Sequence, residues 1–291
     1  MTEVADLQQW VGRERRTDAV LDPWPVQAMT ALLDLPLIAP EPGREPVSET
    51  VLPGLWHWLY FLETAPSSRI GPDGHPLKGG FLPPVPHPRR MFAGGRTLYH
   101  RSLRIGVPTQ LLETVKEIKE KPNSRGGLFI VTVSFHYSQD GELCVEEERD
   151  FIYLPAVTAP ASSTLVNKQL APLEAADWNL DVESDPVLLM RFSALTFNSH
   201  RIHYDLEYAR QQEAYPDLVV HGPLSAMLLS ELVRRNDSRE VGHFSFRALS
   251  PLFSGQTLRL RGGPVAADGA SLTVFDPAGA AALTAQVTFA D

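Results

Sequence analysis

Apolar residues recur along the chain in two similar series, each a dense apolar stretch followed by runs with the alternation of β-strands. In the first series, residues 3–34 read as helical. Asp22 and Pro23 make an N-cap and first-turn pair, and Val26, Met29, Ala31, Leu32 and Leu33 supply an apolar stripe. A proline-rich connector from Pro36 to Pro46 follows, and then a nearly all-apolar helix from Gly54 to Glu63. Residues 66–95 hold too much proline and glycine for a helix or a central strand, and a segment of that length is expected to be a functional loop or lid. Strands are expected at 98–105, 110–119, 128–137 and 143–154. Turns at 123–127 and at Gln139-Asp140-Gly141 would join them as hairpins.

The second series repeats this order without repeating the residues. Residues 155–175 read as a linker rich in Pro, Ala, Ser and Thr. A strand is expected at 187–192, then a short polar segment, an amphipathic helix from Gly222 to about Arg235, and strands at 242–249, 256–261, 271–275 and 281–289. A helix followed by consecutive hairpins implies an antiparallel sheet wrapped around that helix, an α+β arrangement. Two such units account for the 291 residues, with expected boundaries of 1–155, a linker at 156–175, and 176–291.

Composition narrows the function classes. The formal charge is -9, so a nucleic-acid partner is disfavoured, because phosphate neutralisation needs positive charge. No apolar run is long enough to span a bilayer, and residues 1–20 lack a secretory h-region, so no membrane partner and a cytoplasmic location are expected. One cysteine, Cys144, precludes an internal disulfide and any cysteine-rich metal site. Proline is concentrated early: fifteen of the 25 fall between Pro23 and Pro108.

The chemistry is concentrated at 191–205 and 221–226. Asn198, His200, His203 and Asp205 cluster there, and His221-Gly222 follows at the start of the amphipathic helix. Four readings compete. His200-x-x-His203 with Asp205 offers three zinc ligands, but without the His-x-x-x-His helical spacing or a Cys pair, and no metal is expected. Gly222-Pro-Leu-Ser225-Ala226 departs from the G-x-S-x-G nucleophile elbow. The histidines could simply cap loop backbone. The fourth reading absorbs most residues: a histidine accepts a proton from water, Asn198 holds that water, and the Gly222 N–H at a helix N-terminus donates to an oxyanion. These are the parts needed to add water across an α,β-unsaturated carbonyl, or to remove it.

The string S-A-L-T-F-N-S-H-R-I-H-Y-D at 193–205, with V-V-H-G-P-L at 219–224, resembles the MaoC-like hot-dog hydratases and dehydratases. The branch it looks most like holds the type 2 hydroxyacyl-thioester dehydratases and the itaconyl-CoA/mesaconyl-C4-CoA hydratases. G-G-F-L-P-P-V-P-H-P-R-R-M-F-A-G-G at 79–95 is similar to the N-terminal-half loop of that branch. The resemblance implies a double hot dog with one active site, in the C-terminal unit. The family's usual motif has Asp, then Asn two residues on, then a catalytic His five after the Asp. Here Asn198 stands at the Asp position and His200 at the Asn position, and an amide is no base. Proton transfer is therefore expected of His203, with Asn198 orienting water. His221-Gly222 matches the family's His-Gly, whose glycine amide binds the thioester carbonyl.

Arg89, Arg90 and Arg96, with Lys78, put local positive charge on an acidic protein and suit the phosphates of coenzyme A or an acyl carboxylate. His200 and His221 complete the expected substrate-binding set. Trp56, Trp58, Tyr60 and Phe61 are expected to face the core rather than an acyl pocket. The resemblance thus implies a hydro-lyase acting on an enoyl-CoA, with a C5 dicarboxylyl-CoA preferred and no cofactor beyond the thioester itself. The alternatives are a 3-hydroxyacyl-thioester dehydratase on acyl-carrier protein, a non-catalytic acyl-CoA-binding protein, and a thioesterase. Homodimerisation is common in the family and stays open.

Overall fold

The computed structural model describes residues 7–36, 50–122, 127–159 and 166–290. Ten strands form one antiparallel sheet in the order β1-β3-β4-β5-β2-β7-β10-β9-β8-β6. The N-terminal half contributes β1 (Glu14–Val20), β2 (Arg89–Tyr99), β3 (Pro108–Lys121), β4 (Leu128–Gln139) and β5 (Glu142–Leu154). The C-terminal half contributes β6 (Trp178–Ser184), β7 (Val241–Ala248), β8 (Gln256–Ala266), β9 (Gly269–Phe275) and β10 (Ala281–Phe289). The halves meet where β2 pairs with β7, with Gly94 opposite Arg247 and Gly95 opposite Phe246. Glycine is needed at this seam. A Cβ on Gly94 would stand 2.6 Å from the Phe246 carbonyl oxygen, and one on Gly95 2.8 Å from that of Glu148. This is the double hot dog anticipated above.

The helices are α1 (Pro23–Leu32), α2 (Pro186–Leu195), α3 (Leu206–Gln211) and α4 (Gly222–Asn236). Asp22, Asp185 and Asp205 cap the first three by accepting from the backbone N–H groups of Trp24, Leu188 and Tyr208. The C-terminal sheet wraps α4, whose Leu224, Ala226, Met227, Leu229 and Leu232 are fully buried. Hydrophobic burial of this kind, about 1.5–3 kcal/mol per large side chain, makes α4 the axis of its half.

Several expectations need correction. Within 3–34, of which 3–6 lie outside the described residues, α1 forms but 14–20 is an edge strand with alternating exposure, paired to β3. Its charged residues tolerate that edge as well as they would a helix surface. The expected helix at 54–63 is a single 3-10 turn, Trp56–Leu59, because Leu55 and Phe61 take positive φ (64° and 54°) and end it on both sides. The N-terminal half therefore has no counterpart of α4 among the described residues. The segment 66–95 is not loop throughout: β2 begins at Arg89, one residue past the last proline, and is a central strand. The strand expected at 98–105 stops at Tyr99. The strand expected at 187–192 is helix α2, started by Asp185-Pro186 as α1 is by Asp22-Pro23. The turn at Asp140-Gly141 forms with both φ positive (53° and 78°), as a two-residue hairpin requires. Residues 123–126 of the other expected turn, 37–46 of the connector and 160–165 of the linker lie outside the described residues. No described helix is long and apolar enough to cross a membrane.

Candidate active site

A cavity of about 590 Å³ opens between the halves, a size suited to a small ligand. The C-terminal half lines it with Asn198, His200, His203 and Gly222, the N-terminal half with Trp58, Tyr60, Phe61, His75, Arg90 and Phe92. Trp58 and Tyr60 belong to the buried hydrophobic core, as expected, and Phe61 packs against it, but all three also border this space; Trp56 is buried and does not line it. A 3-10 turn at Trp56–Leu59, where a full helix was expected, leaves this room.

The motif folds from α2 outward. Phe197, in a left-handed conformation, turns the chain at the end of α2, and the Asn198 N–H donates to Ser193 O at 2.8 Å. Asn198 Oδ1 accepts from the His200 backbone N–H at 3.0 Å. A 3-10 turn, Arg201–His203, follows. His203 Nδ1 lies 2.7 Å from the Val219 carbonyl oxygen. A carbonyl only accepts, so Nδ1 carries the proton and Nε2 is left as a lone-pair acceptor. His221 stacks on His203, with centroids 3.6 Å apart, and its Nε2 meets Ser193 Oγ at 2.8 Å. His200 approaches His203 edge-on at 5.4 Å.

Burial sets the protonation of this group. Desolvation holds His203 at about 4, although its hydrogen bond to Val219 works in the other direction. Desolvation, then repulsion from His75, His203 and Arg90, lowers His200 well below the ordinary imidazole value. His221 is lowered by desolvation and by His203. All three are neutral imidazoles at pH 7, as a base acting on water must be.

Gly222 opens α4, which has no side-chain cap; Pro223 has no N–H to offer, so the Gly222 amide stands at the positive end of the helix beside the cavity. A Cβ at position 222 would touch Phe92 at 3.4 Å, an ordinary contact, so packing does not demand glycine there.

The arginines separate. Arg90 lines the cavity, its guanidinium 4.5 Å from the Phe151 ring centroid, with no carboxylate partner among the described residues. Arg89 is bound to Glu213 at 2.6 Å and faces a neighbouring cavity of about 300 Å³. Arg96 is not brought to either cavity: its guanidinium pairs with Glu148 and Asp150 on the exposed side of β2. Arg90 lines the neighbouring cavity as well, so Arg89 and Arg90 border one space and only Arg96 stands apart. Lys78 donates to the Val85 and His87 carbonyls. Two other cavity arginines are neutralised, Arg15 by Glu113 and Arg149 by Glu147.

Asp205 is taken by its cap and by Arg201 Nε and Nη2, at 3.0 and 2.7 Å, so the trio His200, His203 and Asp205 is not a ligand set. Ser225 is buried within α4. The sequence reading missed Asp73 and His75. His75 lies 4.1 Å from His200, ring to ring, and Asp73 Oδ2 lies 3.0 Å from His75 Nδ1. The available signal was P-D-G at 72–74, a turn that presents the next residue from the loop already suspected of function. It missed equally the buried Glu147, bound by His57, Trp58 and Arg149 at 3.0, 2.7 and 2.6 Å.

Comparison with known proteins shows the family. The model of the hydroxyacyl-thioester dehydratase type 2 family matches residues 55–254. Mesaconyl-C4-CoA hydratase of Chloroflexus aurantiacus is 45% identical over 284 residues, covering 97% of this chain and 98% of that protein. The mitochondrial hydroxyacyl-thioester dehydratase type 2 of Schizosaccharomyces pombe is 30% identical, covering 70% and 75% respectively. Among solved structures, a MaoC-like dehydratase superposes with a TM-score of 0.71 at 14% identity, over 98% of this chain and all of that one. A double-hotdog protein of Mycobacterium tuberculosis gives 0.59 at 13% identity, over 96% of each chain. At those identities the structures speak for the fold alone.

Proposed function

The chain belongs to the hydroxyacyl-thioester dehydratase type 2 family of MaoC-like hot-dog proteins, and from that premise we propose that it reversibly hydrates an enoyl-CoA thioester. The preferred substrate is a branched C5 dicarboxylyl-CoA, mesaconyl-C4-CoA before itaconyl-CoA. The observation that carries the reading is His203, a neutral imidazole with Nε2 left as acceptor in a cavity shared with the Gly222 amide.

The thioester carbonyl accepts from the Gly222 N–H, so that charge arriving on its oxygen meets the positive end of α4. Water, steadied by Asn198, gives a proton to His203 Nε2 as its oxygen bonds to the β-carbon. The double-bond pair moves into the enolate, which collapses as His203 returns the proton to the α-carbon. Mesaconyl-C4-CoA carries a carboxylate on the carbon that receives the hydroxyl. Arg90 is the cavity arginine without an acid partner, and pairing with that carboxylate offsets its repulsion of the incoming oxygen. This favours a dicarboxylyl substrate over the uncharged 3-hydroxyacyl thioesters of the dehydratase alternative. A cytoplasmic enzyme needing no cofactor, alone or as a homodimer, is the form this reading expects.

A panel of thioesters tests it: mesaconyl-C4-CoA, itaconyl-CoA, crotonyl-CoA and crotonyl-acyl-carrier protein, followed by loss of enoyl absorbance with free thiol measured in parallel. The expected result is the highest kcat/KM on mesaconyl-C4-CoA with no thiol released. Binding without turnover on every member would make the protein an acyl-CoA-binding scaffold. A preference for the carrier-protein thioester would make it a fatty-acid dehydratase.

A further inference from the structure

The reaction just described leaves Asp73 and His75 without a role, yet the structure takes unusual care over where they sit. Their loop is fixed to the 198–205 motif by three hydrogen bonds. Ser199 Oγ donates to Gly74 O at 2.5 Å, the Arg201 backbone N–H to Asp73 O at 2.9 Å, and Arg201 Nη1 to Pro72 O at 3.0 Å. Gly74 has φ +90°, and a Cβ there would lie 1.8 Å from Ser199 O, so no other residue permits this approach. The docking places His75 on the same cavity wall as His200 and His203.

Asp73 determines how His75 presents itself. Oδ1 accepts the His75 backbone N–H at 3.0 Å, and Oδ2 faces Nδ1 at 3.0 Å. A carboxylate only accepts, so Nδ1 carries the proton and Nε2 is a lone-pair acceptor; burial, with Arg90 nearby, holds the ring below the ordinary imidazole value although Asp73 works in the other direction, so His75 stays neutral. This is the orientation that His203 obtains from the Val219 carbonyl. A loop needing only a turn at 72–75 would require neither the imidazole nor its contact with His200.

We propose that the Asp73–His75 pair is a second water-binding acceptor of the active site, supplied by the N-terminal half where the motif has the amide of Asn198 instead of a carboxylate. This rests on the hydratase reading and extends it. Water lies between two imidazoles. One O–H gives its proton to His203 as oxygen bonds to the β-carbon, and that proton ends on the α-carbon. The other O–H donates to His75 Nε2 throughout and becomes the hydroxyl of the product. Holding both hydrogens fixes the direction of the attacking lone pair, an orientation effect that raises kcat.

Asp73→Asn tests this at almost constant volume. The His75 backbone N–H keeps the new amide oxygen on its side, so the amide NH₂ faces Nδ1 and forces the proton onto Nε2, turning an acceptor into a donor. On mesaconyl-C4-CoA, kcat should fall about 100-fold with KM within threefold and the melting temperature unchanged, the order expected when the attacking water is left misoriented. His75→Gln should behave alike. Gly74→Ala should lose as much by displacing the loop, and combining it with His75→Gln should lose little more. An active wild type with Asp73→Asn and His75→Gln each within threefold of it would overturn the inference and leave the hydratase reading intact. Loss in Asp73→Asn and His75→Gln expressed in KM or melting temperature would also overturn it, as a structural role. So would activity removed by chelation and restored by zinc, since the ligand atoms of Asp73, His75 and His200 lie within 4.8 Å of one another. A wild-type protein inactive on every thioester would instead remove the reading on which the inference stands.

Discussion

Acid should weaken this protein through its active site. His200, His203 and His221 are buried and held neutral, while in the unfolded chain each returns to an ordinary value near 6.5. Between pH 7 and 5.5 the unfolded state therefore binds protons that the folded state refuses, so stability rises with pH and falls as pH drops through 6.5. A histidine that stays neutral down to pH 5.5 contributes about 1.2 kcal/mol of loss over that interval, as His200 and His203 do, and His221, His57 and His75, lowered by burial as well, act in the same direction. A typical domain has only about 5–15 kcal/mol to lose. Asp73 and Glu147 stay ionised over the same window. Burial works to raise both, but hydrogen bonds from His75 keep Asp73 below the ordinary carboxylate value, and Arg149 and His57 hold Glu147 at about 2. Urea unfolding at pH 7.0 and 5.5, at fixed ionic strength, measures the difference. His200→Asn removes one titrating group and should shrink the gap between the two pH values by about 1.2 kcal/mol, whatever it does to stability at pH 7. Equal stability at both pH values, or an unchanged gap in His200→Asn, would refute the claim that these rings are neutral because they are buried.

Three further outcomes follow from the same geometry. With His203 held at about 4, kcat/KM measured in short assays on mesaconyl-C4-CoA should show no acid limb near 6.5, falling instead with an apparent pKa about 4; a limb near 6.5 would reject His203 as the base. Arg90→Gln should lower kcat/KM on mesaconyl-C4-CoA about 10–100-fold relative to crotonyl-CoA in side-by-side assays, as loss of a charge-assisted hydrogen bond requires. An unchanged ratio would place the substrate carboxylate elsewhere. Glu147→Gln leaves the Arg149 charge in the N-terminal interior without its acid and should cost about 3–5 kcal/mol, read from the urea midpoint. A cost under about 1 kcal/mol would show that water already screens the pair.

What was legible in the sequence is what depends on near neighbours. The α4 stripe, the strands at 242–289 and the Asp140-Gly141 turn follow from local periodicity and turn chemistry, and they appear within a few residues of their expected places. Helix α2 was misread because 187–192 is a short apolar run, ambiguous by periodicity, although Asp185-Pro186 carried the start signal recognised at Asp22-Pro23. The break at 54–63 could not be read: positive φ at Leu55 and Phe61 is a demand of tertiary packing on residues that do not favour it. The site divides in the same way. Asn198, His200, His203, His221 and Gly222 are close in sequence and line or adjoin one cavity, whereas His75 reaches His200 across 125 residues through an approach that only Gly74 permits.

The two halves follow a similar order of elements but do different work. Around α4 the C-terminal sheet closes on a dry core, and the start of that helix holds the groups assigned to the chemistry. In the N-terminal half the corresponding space holds one 3-10 turn, a carboxylate bound by His57, Trp58 and Arg149, and the cavity. A buried ion network is a poor substitute for an apolar helix in stability alone, since desolvation offsets most of what the pairing gains. It does something a helix would not. Glu147 holds His57, Trp58 and Arg149 from one point, so Trp58 and Arg149 make a fixed wall with empty space beside it. Two of the cavity arginines are neutralised by acids and Arg90 has no carboxylate partner among the described residues, so on the function proposed above the charge offered to an anionic acyl group is set by which arginine lacks a carboxylate, not by how many arginines the loop carries.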